Sequence, residues 1–154
     1  MRRGIPLLAG FLFAIGSTAI AATPAPANVR IEHAWIRWLP VNLPAAGYAV
    51  IVNDGDAPVR LVGSSSPDYR DVMLMQSRLA DQDSTMVKVT HIDAPAHGRA
   101  SLAPGGYHIM LSGPIRSIKP GDKVPMTLHF ASGATLQVDF SVLPANAVGP
   151  STSD

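Results

Sequence analysis

Short segments rich in β-branched and aromatic residues, each bounded by turn residues, recur along the chain from residue 29 to residue 142. No window of a dozen residues in that range has the apolar stripe of an amphipathic helix. The predicted strands are Val29–Trp38, Tyr48–Val52, Val59–Val62, Val72–Gln76, Met86–Ile92, Tyr107–Leu111, Val124–Phe130 and Thr135–Val142, the last two forming a hairpin around Ser132-Gly133. Seven or more short strands at regular spacing are typical of an all-β Greek-key sandwich.

The first 21 residues differ in kind from the rest of the 154-residue chain. Arg2 and Arg3 precede an apolar run over residues 5–15, and Ala19-Ile20-Ala21 is a small-x-small cleavage site. The apolar run is shorter than the roughly 20 residues that a membrane-spanning helix requires. We therefore predict a cleaved export signal and a soluble periplasmic protein with no membrane span, with an uncleaved signal anchor as the alternative.

The remaining chain is predicted to have three parts. Residues 22–28 form a Pro/Ala leader, residues 29–143 one β-sandwich domain, and residues 144–154 a small, polar tail that we expect to be flexible. Cleavage after Ala21 removes the two cations Arg2 and Arg3 and changes the formal net charge from +1 to −1. No basic stripe with interleaved aromatic residues remains, so nucleic acid is not an expected partner.

Methionine and histidine side chains occupy the non-core faces of three predicted strands. Alternation along those strands places Met73, Met75, Met86, His108 and Met110 on the faces away from the aliphatic residues. A packing role predicts the opposite placement, so we interpret these faces as a site that is exposed to solvent. We interpret Met73 as an exposed neighbour of that site rather than as a ligand.

Met126 provides the contrast. It is in step with Val124, Leu128 and Phe130, which form an apolar face, so its side chain is predicted to pack in the core.

Met75, Met86, His108 and Met110 together supply three thioethers and one imidazole in a chain without cysteine. Soft donors of this kind select Cu(I) over zinc, magnesium and calcium, which prefer thiolate, imidazole or oxygen ligands. A thioether also cannot be lost to a disulfide in an oxidising export compartment. The residue types therefore predict a Cu(I) site.

The same four residues have the spacing Met75-x10-Met86-x21-His108-x-Met110. This spacing resembles the signature of the periplasmic copper chaperones of the PCuAC family, which is His or Met, ten residues, Met, twenty-one residues and His-x-Met. Family-like segments are Ala34-Trp35-Ile36-Arg37, Ala46-Gly47-Tyr48, Leu61-Val62-Gly63, residues 104–111 and residues 121–125. The resemblance covers most of the mature domain.

The resemblance implies a cupredoxin-like β-sandwich that is not an enzyme and carries one Cu(I) per chain. Met75, Met86 and Met110 would be the sulfur ligands, and His108 the nitrogen ligand. The implied role is delivery of copper for cytochrome c oxidase assembly, with an oxidase subunit or a Sco-type protein as the acceptor. The acceptor's identity and the oligomeric state stay open.

This chain departs from the family pattern in two ways. Met75 stands where histidine is commoner, which leaves His108 as the only ligand that must lose a proton, so we expect Cu(I) to be retained at mildly acidic pH. The tail lacks the Met/His-rich extension that some relatives carry, and this is why we expect a single copper.

Other functions are less well supported by the residues. A blue-copper electron-transfer centre needs a cysteine thiolate, which the chain lacks. A hydrolase would need Ser64-Ser65-Ser66 and Asp68 with a histidine base, but no nucleophile elbow or HExxH helix accompanies them. His91-x5-His97 with Asp93 suggests zinc, but nothing fixes its geometry. An exported β-sandwich interaction module, with its outward methionines contacting a protein partner, stays open as the alternative.

Overall fold

A computed structural model describes residues 26–41, 43–80 and 83–150 of the chain. The predicted export signal, most of the Pro/Ala leader and the last four residues of the predicted tail lie outside the described residues. No helix among the described residues is long and apolar enough to cross a membrane.

All the regular elements of the described residues are β-strands. They are β1 (Val29–Arg37), β2 (Ala45–Asn53), β3 (Val59–Ser65), β4 (Tyr69–Ala80), β5 (Asp83–Lys88), β6 (Ile92–Ala94), β7 (Gly98–Leu102), β8 (Tyr107–Pro114), β9 (Lys123–Phe130) and β10 (Thr135–Leu143). The hydrogen-bonded order is β5-β4-β8-β7-β2-β1-β10-β9-β3-β6, and β8 also pairs with β2. The predicted all-β fold class is confirmed.

The sheet encloses a single apolar core. Its largest fully buried side chains include Phe140, Ile36, Ile51, Leu61 and Ile109. Met126 belongs to this core with 1% of its surface exposed, as its place on the apolar face of β9 predicts. Strands from both ends of the sequence are neighbours around this core. β1 pairs in parallel with β10, with Trp35 opposite Ser141.

Strand β2 positions β8, which carries two of the predicted ligands. The first part of β2 pairs with β8 through Ala46↔Met110, and its second part pairs with β7. A Cβ atom at Gly47 would lie 3.4 Å from Ile109 Cβ and from Leu111 Cδ1, which is already van der Waals contact. Side-chain atoms beyond Cβ at position 47 would therefore meet Ile109 and Leu111 of β8.

Two strand predictions need correction, and one hairpin is confirmed. β7 was not predicted, and the single strand predicted over Met86–Ile92 is two strands with different partners, since β5 pairs with β4 and β6 pairs with β3. The β9–β10 hairpin is confirmed by antiparallel pairing and by Gly133, which has a φ of 86° in the turn.

Candidate metal centre

The pairing of β4 with β8 places two methionines opposite the His-x-Met segment. Met75 lies directly opposite His108, and Met73 lies directly opposite Met110. Directly opposed residues of antiparallel strands share a face, with Cβ atoms about 4.5–5.5 Å apart. The sequence signals of two separate segments therefore converge on one face of the sheet.

Met86 reaches the same face from β5. That strand pairs with β4 through Ser77↔Met86 and Met75↔Lys88, so Met86 shares the face of Met75. Met86, His108 and Met110 also line one cavity of about 480 Å³. Its other walls are Arg37, Leu39, Leu43, Pro44, Ala45, Ala46, Tyr48 and Ala145.

The predicted faces agree with the structure, but the predicted exposure of the site is wrong for two of the four residues. Met75 and His108 lie outside the core cluster, yet only 9% and 4% of their surfaces are exposed. Met110 is partly buried, and Met86 is 61% exposed. The site therefore has a buried pair and a solvent-facing methionine.

An aromatic residue of β2, Tyr48, lies beside the buried imidazole of His108, and Trp35 of β1 lies against Tyr48. The Trp35 and Tyr48 rings are 4.7 Å apart between centroids, and the Tyr48 ring is 6.3 Å from the His108 imidazole. Both aromatic side chains are themselves buried. Alternation within one strand does not reveal such a second layer, because its residues come from other strands.

The His108 ring is oriented by the turn before β8. His108 Nδ1 lies 3.2 Å from the Gly106 carbonyl oxygen, which also accepts a hydrogen bond from the Ser77 backbone N–H at 3.0 Å. A carbonyl oxygen can only accept, so Nδ1 carries the hydrogen and the lone pair of the neutral ring is on Nε2. A backbone partner of this kind fixes both the tautomer and the orientation of a ligating histidine.

Arg37 places a cation in the cavity wall. Its guanidinium carbon lies 5.5 Å from the Trp35 ring centroid and 5.4 Å from that of Tyr48, and Nη2 donates to the Ala147 carbonyl at 3.1 Å. Its Nε atom is buried and has no hydrogen-bond partner among the described residues. Burial raises the pKa of the Tyr48 hydroxyl, and the positive charge of Arg37 opposes that shift.

The zinc alternative has no geometric support. Within the described ranges, no three His, Cys, Asp or Glu side chains come together as a metal-binding group. His97 Nε2 lies 2.8 Å from Asp56 Oδ1, whereas His91 Nε2 lies 3.8 Å from Asp93 Oδ2. The two histidines considered for zinc thus have separate partners.

The residues considered for a hydrolase are likewise dispersed. Asp68 accepts a hydrogen bond from Arg116 Nη2 at 2.7 Å, which ties it into an ion pair. Ser65 Oγ lies 2.8 Å from His129 Nε2 on an exposed part of the β3–β9 pairing. This pair is a surface hydrogen bond between neighbouring strands.

Comparison with known proteins identifies the family of the chain. The family model "Putative lipoprotein LpqE-like" matches residues 29–142. The "Putative lipoprotein Lxx21020" of Leifsonia xyli subsp. xyli is 30% identical over 144 residues, which cover 88% of this chain and 86% of the relative.

Solved structures with the same fold include PCuAC domains. The apo PCuAC domain of PmoF2 is 29% identical with a TM-score of 0.67, over 83% of this chain and 99% of that domain. The copper-bound form of the PmoF2 domain has a TM-score of 0.64 at 29% identity, over 79% and 97%. CuI-DR1885 of Deinococcus radiodurans is 30% identical with a TM-score of 0.58, over 88% and 87%. The resemblance to PCuAC domains and the cupredoxin-like sandwich are confirmed.

Proposed function

The chain belongs to the LpqE-like family, and from that premise we propose that it is a periplasmic Cu(I) metallochaperone. The cargo would be held by Met75, Met86 and Met110 through sulfur and by His108 through nitrogen. The observation that carries the proposal is the β4–β8 register, which sets Met75 opposite His108 on the face that Met86 and Met110 share. The copper-bound PmoF2 domain and CuI-DR1885 support copper as the cargo.

The donor set suits an ion that must be carried and then released. Thioethers and a neutral imidazole bring no negative charge, so the complex keeps the single positive charge of Cu(I). The cavity beside His108 and Met110 leaves room for a ligand from a partner protein. The partner's donor would form one bond to copper while one thioether bond breaks, with no change in oxidation state.

Different donors have different parts in this exchange. Met75 and His108 are buried and would hold the ion in the protein. Met86 is 61% exposed and lies on β5, at one end of the strand order, so it is the donor that would leave first. Burial of the first pair protects the cargo, and exposure of Met86 gives the partner access.

The location follows from the relatives and from the first residues of the chain. The lipoprotein descriptions of the family and of the Leifsonia relative support an exported, cell-envelope protein, as does the predicted signal in residues 1–21. We therefore place the protein in the periplasm, where it would deliver copper for cytochrome c oxidase assembly to an oxidase subunit or a Sco-type protein.

A competition titration tests the copper proposal. The protein would compete for Cu(I) with a chromogenic chelator under anaerobic, reducing conditions, beside the His108→Ala and Met86→Ala variants. We expect one tight equivalent, weakened strongly by His108→Ala and less by Met86→Ala, and unchanged in the control His129→Ala. Failure of the intact protein to compete, with partner binding retained, would instead favour the interaction module. Copper transfer to purified acceptor candidates then tests the delivery step.

A further inference from the structure

Met73 completes a second cross-strand pair of soft donors next to the first. It lies directly opposite Met110 on β8, as Met75 lies opposite His108. Residues two apart on one strand point to the same face, so all four side chains are on the face of the candidate site. The register gives Met73 the same relation to Met110 as Met75 has to His108.

Met73 does not serve the apolar core. Its neighbours Val72 and Leu74 belong to the core cluster or pack against it, but Met73 does neither, and its side chain is partly buried. Met126, by contrast, is a packing methionine. It belongs to the core cluster, and 1% of its surface is exposed. Alternation in the sequence predicted that Met73 is an exposed neighbour of the site. The β4–β8 pairing places it opposite the predicted ligand Met110.

We propose that Met73 is a fifth copper donor, which takes over coordination when Met86 leaves. This inference rests on the proposed function, since it concerns the same cargo. Cu(I) accepts at most four ligands of this type, so five donors form two overlapping sets. One set contains Met75, Met86, Met110 and His108, and in the other Met73 replaces Met86.

The two sets differ in their access to solvent. Met86 is the most exposed donor, and Met73 and Met110 are partly buried. When Met86 turns away, one Cu–S bond breaks and the bond to Met73 forms, with no change in charge or oxidation state. The ion thus stays coordinated while its exposed side is uncovered, and a partner's ligand can then bind there as one of the remaining Cu–S bonds breaks.

Methyl NMR of the methionines tests this arrangement. Five of the six methionines are Met73, Met75, Met86, Met110 and Met126, and each gives one signal when its methyl group carries ¹³C. Silver(I), a redox-inert closed-shell ion, would be added in place of Cu(I). We expect the Met73 signal to shift together with those of Met75, Met86 and Met110, while that of the core residue Met126 stays in place.

The outcomes separate the two proposals. If Met75, Met86 and Met110 respond but Met73 does not, the fifth-donor inference is overturned and the proposed function stands. If none of the four responds, both are overturned.

Affinity measurements give a second test. Leucine conserves the volume of methionine and removes the sulfur, so folding should be preserved. We expect Met73→Leu to weaken Cu(I) binding about threefold to tenfold alone and by a clearly larger factor in a Met86→Leu background, because the two residues substitute for each other. Met126→Leu is the matched control and should leave the affinity unchanged. Equal effects of Met73→Leu in both backgrounds would overturn the inference.

Discussion

His108 Nδ1 lies 3.2 Å from the carbonyl oxygen of Gly106, which orients the imidazole from the turn before β8. We predict that the metal-free protein holds His108 as the Nδ1–H tautomer and that copper binds through Nε2, because the carbonyl can only accept a hydrogen bond. Long-range ¹H–¹⁵N correlation spectra measure the tautomer directly. Addition of silver(I) should then move the His108 Nε2 resonance.

His129 is the internal control for that experiment. Its Nε2 atom is engaged with Ser65 Oγ at 2.8 Å, away from the candidate ligands, so its resonances should not respond to silver(I). An Nε2–H tautomer at His108 would contradict the predicted binding mode.

The number of copper ions follows from the shared imidazole. Both donor sets of the proposed site include His108, so they cannot be filled at the same time. We predict one copper per chain after loading with excess Cu(I) and desalting, measured by metal analysis against protein concentration. Two or more equivalents would mean that Met73 and Met110 form an independent site.

The acidity at which copper is lost depends on how many ligands take up protons. The three thioethers do not, so protons compete with Cu(I) only at His108. We predict that the Cu(I) affinity falls by no more than about tenfold for each unit of pH on the acid side, the limit for one displaced proton. Chelator competition at several pH values measures this slope.

Met75→His offers a matched comparison. It keeps a ligand at position 75 but adds a second proton acceptor, so the affinity should fall more steeply with acid, by up to about a hundredfold per unit. A wild-type slope as steep as that of the variant would show that a second protonatable group contributes to the site.

The local sequence pattern predicted the strands that have strong apolar alternation. It did not predict strands whose existence or limits depend on pairing with a distant strand. Val124–Phe130 and Thr135–Val142 were predicted within a residue of β9 and β10. β7 was not, because only Ala100 and Leu102 of its five residues face the core. The division between β5 and β6 depends on Leu61↔Ile92 pairing with the distant β3, which a local pattern cannot contain.

In the candidate site, too, the sequence predicted what depends on a single strand and not what depends on its neighbours. Alternation predicted the face on which Met75 and His108 lie, because that depends only on their own strands. The surroundings of the buried His108 include Tyr48, with Trp35 against it, which β2 and β1 bring to that face from far earlier in the sequence. The relation between Met73 and Met110 likewise required the β4–β8 register.

Acid should weaken the attachment of β6 to β3. Arg60 donates to Asp93 from Nε at 2.7 Å and from Nη2 at 3.1 Å, and this hydrogen bonding lowers the pKa of the Asp93 carboxyl. A lowered pKa means that the stabilisation is present above the unfolded carboxyl value of about 3.9 and is lost as the pH falls through the folded value. We predict that Asp93→Asn lowers the urea midpoint slightly at neutral pH, and by less at an acid pH below the unfolded carboxyl value.

The exposed Asp139 provides the comparison for that measurement. Asp139→Asn has the same chemical change outside the Arg60 pair, so its urea midpoint should track the wild-type protein at both pH values. A difference between Asp93→Asn and wild type that persisted in acid would assign the effect to packing rather than to the ion pair.

Arg37 should weaken the binding of the cargo and favour its monovalent state. The residue lines the cavity of Met86, His108 and Met110 and is held against Trp35 and Tyr48. Because all four predicted ligands are neutral, copper keeps its charge and is repelled by the guanidinium. We predict that Arg37→Gln binds Cu(I) about threefold to tenfold more tightly, with a larger gain for Cu(II), since the Coulomb energy scales with the charge.

Salt and a second arginine separate this effect from a change in structure. Repulsion between charges is screened, so the gain from Arg37→Gln should shrink as the ionic strength rises. Arg60→Gln removes an equal charge from β3, outside the cavity lining, and should leave the Cu(I) affinity unchanged. Weaker Cu(I) binding by Arg37→Gln, with an unaltered near-ultraviolet spectrum, would show that Arg37 supports the donors by holding Tyr48 beside His108.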